Sequence, residues 1–143
     1  METYNEKHQD LKKYQNAIRE RKRMEEGLEE YKTTRLHPTS PGTDGGNGGG
    51  GAETDMSDYF KKIEEKEEEI RIALLEEENI RQELIEKIDR IKNDKQKDIQ
   101  NQKDVLFKLY ICNKDIKNVA EEMKYSREGI YKIKKKAIKN YKI

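Results

Sequence analysis

The chain has no tryptophan, two phenylalanines and one cysteine among its 143 residues. With Cys112 as the single cysteine, no disulfide can form within the chain, which favours a reducing compartment. No apolar run approaches the roughly 20 residues of a membrane-spanning helix. The N-terminus also lacks the basic-then-apolar pattern of a signal peptide. We therefore expect a cytoplasmic protein without a membrane partner.

Charged side chains make up 43% of the sequence and hydrophobic ones only 31%. A compact single-core domain of this length needs more apolar material, so extended helices or a coiled coil are expected. The charge is unevenly distributed, because residues 103–143 carry 12 basic and five acidic side chains whereas residues 53–102 carry ten and 16. A basic end of this kind suggests contact with nucleic acid.

Helical periodicity divides the chain into four segments within an all-α fold. Residues 1–32 predict an N-terminal helix, and residues 56–101 predict a long charged helix that forms a coiled-coil-like stalk. Between them, residues 33–55 are rich in glycine and proline and predict a flexible linker. Residues 102–143 predict a helix-turn-helix domain.

The two stalk helices could pair as an antiparallel hairpin. One register places Ile18 opposite Ile70 and Leu28 opposite Phe60, with the charges of Arg21 and Glu67 facing each other. The same apolar stripe could instead bind a partner, which would make the protein a homo-oligomer through the stalk. The sequence leaves both arrangements open.

The basic segment has the layout of a helix-turn-helix. Ala120 supplies the small residue that lets a second helix cross the first at close range, and Ser126 is a favourable N-cap for that second helix. Lys124 stands where the turn often holds glycine, which requires a left-handed lysine or a slightly different turn. Apolar residues are predicted on the inner faces of both helices: Ile116, Val119, Met123, Tyr125, Ile130 and Ile133.

The second helix, 127–141, is predicted to enter the major groove of double-stranded DNA. Residues near its N-terminus reach base edges, and lysines further along reach phosphates. The predicted DNA-binding residues are Ser126, Arg127, Glu128, Tyr131, Lys132, Lys135, Lys136 and Lys139. A lysine-rich helix is often only a solvated surface. The prediction that this helix binds DNA therefore depends largely on the Ser126 cap and on the inner apolar face.

Residues 119–132 resemble region four of bacterial sigma factors, with Gly129 where that family usually has threonine. The order of helix, Pro/Gly linker, charged helix and C-terminal motif resembles small phage and prophage transcriptional regulators, including the ArpU-like late-gene regulators. This resemblance implies binding to promoter DNA near phage packaging or lysis genes. The chain lacks an aromatic-rich segment that could trap melted bases, so it is expected to assist RNA polymerase rather than open promoters alone.

The sequence gives no indication of an enzyme. It shows no nucleophile–base arrangement, and its acidic runs are typical of solvated helix surfaces. The two histidines and Cys112 lack metal-ligand spacing, and the glycine-rich stretch lacks the lysine of a phosphate loop. We therefore expect no catalytic residues, no metal and no cofactor. The alternatives to a regulator are a DNA-recognition subunit of phage packaging and a coiled-coil adaptor without a nucleic-acid role.

Overall fold

A computed structural model describes residues 2–36 and 51–143, and side chains at 2–34 and 56–143. The regular structure of these residues is entirely helical, which confirms the expected all-α fold. The helices are α1 (Tyr4–Leu11), α2 (Lys13–Leu36), α3 (Gly51–Asp89), α4 (Gln96–Leu106), a π-helical turn (Phe107–Ile111), α5 (Ile116–Met123) and α6 (Arg127–Asn140). The chain forms two compact units, residues 1–18 with 77–143 and residues 19–76.

The helix boundaries differ from the predicted segments at four places. The N-terminal helix is divided at Lys12, and α2 then extends to Leu36, inside the predicted linker 33–55. The helix α3 begins at Gly51, also inside that linker, and residues 37–50 lie outside the described chain. At its other end α3 stops at Asp89. A turn that contains the left-handed residue Asn93 (φ 75°) separates α3 from α4.

Within the unit 19–76, the end of α2 packs against the start of α3. The Tyr31 and Tyr59 rings stack with their centroids 5.6 Å apart, and the Lys66 ammonium lies 5.6 Å from the Tyr31 centroid. Leu28 and Tyr59 are buried there. The contacts show that these two segments pair within one chain.

The predicted stalk register is wrong in this unit. Phe60 was expected opposite Leu28 but is 56% exposed, and the adjacent Tyr59 takes the buried position. A shift of one residue rotates a helix by about 100°, so neighbouring aromatic residues compete for one seam. One contact of Arg21 lies within its own helix, since Arg21 Nη1 is 2.6 Å from Glu25 Oε1.

The unit formed by residues 1–18 and 77–143 has one hydrophobic core built from both ends of the sequence. Leu11 of α1 and Leu84 and Ile88 of α3 are buried with side chains of the C-terminal helices. A module of about 40 residues rarely buries enough surface to fold alone, and here the additional apolar surface comes from α1 and α3. The C-terminal helices contribute Val105, Leu106, Val119, Ile130, Ala137, Ile138 and Tyr141 to this core.

A buried carboxylate joins three parts of this unit. Asp10 Oδ2 accepts hydrogen bonds from the Tyr141 hydroxyl at 2.5 Å and the Lys87 ammonium at 3.1 Å. The Lys13 ammonium lies 2.8 Å from Asp10 Oδ1. Because a buried charge that loses a partner is strongly destabilising, this cluster fixes α1 against α3 and against the residue that follows α6.

Stability is expected to depend on the ionisation of Asp10. Burial opposes the charged form, but hydrogen bonds from Lys13, Tyr141 and Lys87 outweigh it and hold the Asp10 pKa below its ordinary value. A carboxyl with a lowered pKa stabilises the fold above its unfolded-state pKa, and that contribution is lost as pH falls through the folded-state pKa. Asp10→Asn should therefore be less stable than wild type near neutral pH.

Urea unfolding measured between about pH 7 and pH 2 tests this expectation. The difference in free energy of unfolding between wild type and Asp10→Asn should be constant near neutral pH and shrink in acid. A difference that stays the same across the whole range would contradict the assigned role of the carboxylate.

Candidate nucleic-acid interface

In the turn between α5 and α6, Lys124 adopts the left-handed conformation, which is one of the two alternatives that the sequence left open. Asp115 caps the start of α5, where its side chain accepts a hydrogen bond from the Asn118 N–H at 2.8 Å. At the other end Lys124 has φ 60° and ψ 42°, and the Tyr125 N–H donates to the Ala120 carbonyl at 3.0 Å. The left-handed residue reverses the chain within one turn so that α6 can start at once.

Replacing Lys124 with glycine is expected to stabilise the fold. A left-handed residue with a Cβ costs roughly 1–2 kcal/mol, and glycine removes most of that cost while adding backbone entropy to the unfolded chain. We expect Lys124→Gly to raise the free energy of unfolding by up to about 1 kcal/mol in chemical denaturation. The matched control, Lys117→Gly in the right-handed first turn of α5, should lower it, and a loss at both positions would contradict the strain argument.

The start of α6 is fixed by its cap and by the core beneath it. The Ser126 side chain accepts a hydrogen bond from the Gly129 N–H at 3.0 Å. Val119 and Ile130 are fully buried and Ala120 nearly so, as a crossing of two helices requires.

Tyr125 differs from its predicted place on the inner apolar face. Its side chain is 41% exposed, and its hydroxyl accepts a hydrogen bond from Asn101 Nδ2 of α4 at 3.0 Å. The phenolic hydroxyl keeps the ring at the edge of the core, where the polar atom has a partner.

The helix α6 has one buried and one exposed face. Ile130, Ala137 and Ile138 are fully buried, and so is Tyr141, which follows the helix. On the opposite side, helical spacing brings Glu128, Lys132, Lys135 and Lys139 into one stripe. All eight predicted DNA-binding residues are exposed: Ser126, Arg127, Glu128, Tyr131, Lys132, Lys135, Lys136 and Lys139.

The basic residues of the C-terminal segment fall into two groups. Lys108 and Lys114 both bind the Glu122 carboxylate, the former at 3.2 Å, so these charges are partly neutralised. Lys134 is half-buried 6.0 Å from the Tyr110 centroid, and burial and then Lys12 lower its pKa. The exposed lysines of α6 form no ion pair with an acid in the described part of the chain: Lys132, Lys135, Lys136 and Lys139.

The position of α6 is fixed by polar contacts that the sequence did not predict. The buried Gln102 donates to Asp94 Oδ2 at 2.9 Å, and its Oε1 accepts from the Asn140 side chain at 2.9 Å. Near the end of α6, the Lys7 ammonium donates to the Lys139 carbonyl at 2.7 Å. A helix held in this way presents its exposed side chains in a fixed orientation.

The profile of a family described as "Protein of unknown function (DUF1492)" matches residues 38–142, which is most of the chain. The chain belongs to the DUF1492 family. In this DUF1492 protein the matched region includes the whole of α3 to α6, whereas α1 and α2 precede it. Comparison with curated proteins and with solved structures gives no match. Over residues 2–36 and 51–143, no helix combines the length and apolarity that a membrane span needs.

Proposed function

We propose that this DUF1492 protein is a sequence-specific regulator of transcription that binds double-stranded DNA and has no catalytic activity. The observation that carries the proposal is the two-sided character of α6. Its apolar face is buried in the core, and its opposite face presents lysines that form no ion pair with a described acid. A major groove about 12 Å wide accepts a helix, and such a face would neutralise the flanking phosphates.

The proposed contacts follow from position along α6. Arg127, Tyr131 and Lys132 lie in its first turns, where a helix entering the groove reaches base edges. Lys135, Lys136 and Lys139 lie further along and would contact phosphates, which give affinity without sequence preference. Glu128 lies on the same stripe and would favour sites where it can accept from a cytosine amino group.

The biological setting of the proposal comes from the resemblance of residues 119–132 to sigma-factor region four and of the chain to ArpU-like phage regulators. We propose that the target is promoter DNA of phage or prophage late genes. RNA polymerase is the proposed protein partner, because a chain with this motif and no melting segment can recruit polymerase but cannot open a promoter. The stalk is the proposed surface for self-association.

Selection of bound duplexes from a randomised pool tests the proposal, since a sequence-specific protein enriches one motif. We then expect Arg127→Ala to relax discrimination by roughly 1–3 kcal/mol at one base pair, as for a lost bidentate contact. Lys139→Ala should instead weaken all duplexes alike and lower the salt slope by about 1.

A pool that shows no enrichment would contradict a sequence-specific regulator. The oligomeric state distinguishes the packaging alternative, because a ring-shaped assembly would indicate a packaging role, and a monomer or dimer that retards a promoter fragment supports transcription.

A further inference from the structure

A groove of about 730 Å³ lies beside α6, within the unit formed by residues 1–18 and 77–143. One wall is α6 itself, and the others are α4, the turn at Tyr125 and the first residues of α1. Pockets that hold small molecules commonly enclose about 300–1,000 Å³, so the groove has the size for a compact ligand.

The side chains of the groove combine aromatic rings with positive charge. Tyr4 and Tyr125 are both partly exposed rings, and Ile133 adds further apolar surface to the lining. Five ammonium groups are contributed by Lys7, Lys132, Lys135, Lys136 and Lys139. Rings that accept a stacked base, next to cations that accept phosphates, are the two elements with which proteins hold nucleotides.

We propose that this groove binds a nucleoside polyphosphate. Its base would stack on the ring of Tyr4 or Tyr125, and its phosphates would contact the lysines of α6. The Asn101 amide, held by its hydrogen bond to the Tyr125 hydroxyl, is placed to contact a base edge.

An acidic peptide helix fits the groove less well than a nucleotide. Glu2 and Asp98 also line it and would repel carboxylates spread along such a helix. A nucleotide concentrates its charge at one end and can direct it to the α6 lysines, while its base lies against the rings.

Nucleotide binding in this groove would also regulate DNA binding, an inference that rests on the proposed function. Lys132, Lys135, Lys136 and Lys139 line the groove and are also proposed contacts to DNA. One set of ammonium groups cannot neutralise both ligands at once, so nucleotide and duplex would compete, and the nucleotide level would set the occupancy of DNA.

Calorimetric titration of the full chain with ATP, in the absence of DNA, tests the site. We expect saturable binding, with adenosine alone and inorganic triphosphate alone each weaker by about tenfold or more, because the site uses both stacking and charge. Tyr4→Ala should weaken ATP binding about tenfold, whereas Tyr4→Phe, which keeps the ring, should restore it. Phe60→Ala is the matched control, since Phe60 is a similarly exposed ring of the unit 19–76 that does not line the groove, and it should leave ATP binding unchanged.

Three results would overturn the nucleotide site: no ATP binding, triphosphate binding as tight as ATP, or equal losses in Tyr4→Ala and Phe60→Ala. Binding of a synthetic acidic amphipathic peptide where ATP fails would also overturn it. Competition with a labelled duplex is a separate measurement. If ATP binds in a Tyr4-dependent manner and no duplex binds, the groove assignment stands and the proposed DNA-binding function fails.

Discussion

Reversing the charge of Lys135, Lys136 and Lys139 together is expected to weaken duplex binding by on the order of 10²–10³-fold at about 0.1 M salt. Each neutralised phosphate contributes a slope of about −0.9 to the dependence of log affinity on log salt concentration, because bound counterions are released. Removing three such contacts should therefore also flatten the salt dependence. All three side chains are exposed on α6, so glutamate at these positions is compatible with the fold.

The matched control reverses three exposed lysines of the other unit, Lys22, Lys61 and Lys62. It changes the net charge of the chain by the same amount and leaves α6 intact. Fluorescence anisotropy with a labelled duplex should show a much smaller loss for this variant, because charges that make no direct phosphate contact act only through the screened long-range field. Equal losses in the two triple variants would mean that total charge, and not the position of the lysines on α6, controls binding.

Truncating Leu11 to alanine is expected to destabilise the whole unit that carries α6. Leu11 is fully buried among side chains of α3 and the C-terminal helices, although it lies before the region matched by the family. A buried leucine truncated to alanine costs about 2–5 kcal/mol, a large share of the stability of a small domain. Thermal and urea unfolding followed by circular dichroism should show this loss.

Leu75→Ala is the control for that measurement, because Leu75 is 66% exposed on α3 and should change stability by less than about 0.5 kcal/mol. A Leu11→Ala variant as stable as Leu75→Ala would contradict the shared core. Such a result would indicate that the C-terminal helices fold without α1.

The sequence predicted those parts of the fold that depend on local chemistry. The helical periods and the Ser126 cap each follow from the side chains of a few neighbouring residues. At Lys124 the same local pattern left two alternatives open, of which the left-handed conformation is present. The predicted domain boundary at residue 102 left Leu11 and Leu84 outside the domain. These two residues belong to its core only through contacts that are distant in sequence. The choice of Tyr59 over Phe60 likewise depends on Tyr31, a residue on another helix.

The candidate site shows the same division. Helical spacing alone identified the exposed stripe of α6, since buried and exposed residues alternate with the period of the helix. It could not show that Lys134 lies near Tyr110 or that Lys7 binds the end of α6, because the partners come from other elements. The burial of Asp10 and Gln102 could not be predicted from the sequence, because a single polar residue in a charged helix resembles its solvated neighbours.

Methylation interference on a selected duplex addresses the docking of α6 directly. Methyl groups at guanine N7 project into the major groove, and those at adenine N3 project into the minor groove. If α6 lies in the major groove, methylated guanines within the site will prevent binding of the wild-type chain and methylated adenines will be tolerated. Binding that is indifferent to guanine methylation, or blocked only by adenine methylation, would contradict the placement of α6 on which the account depends.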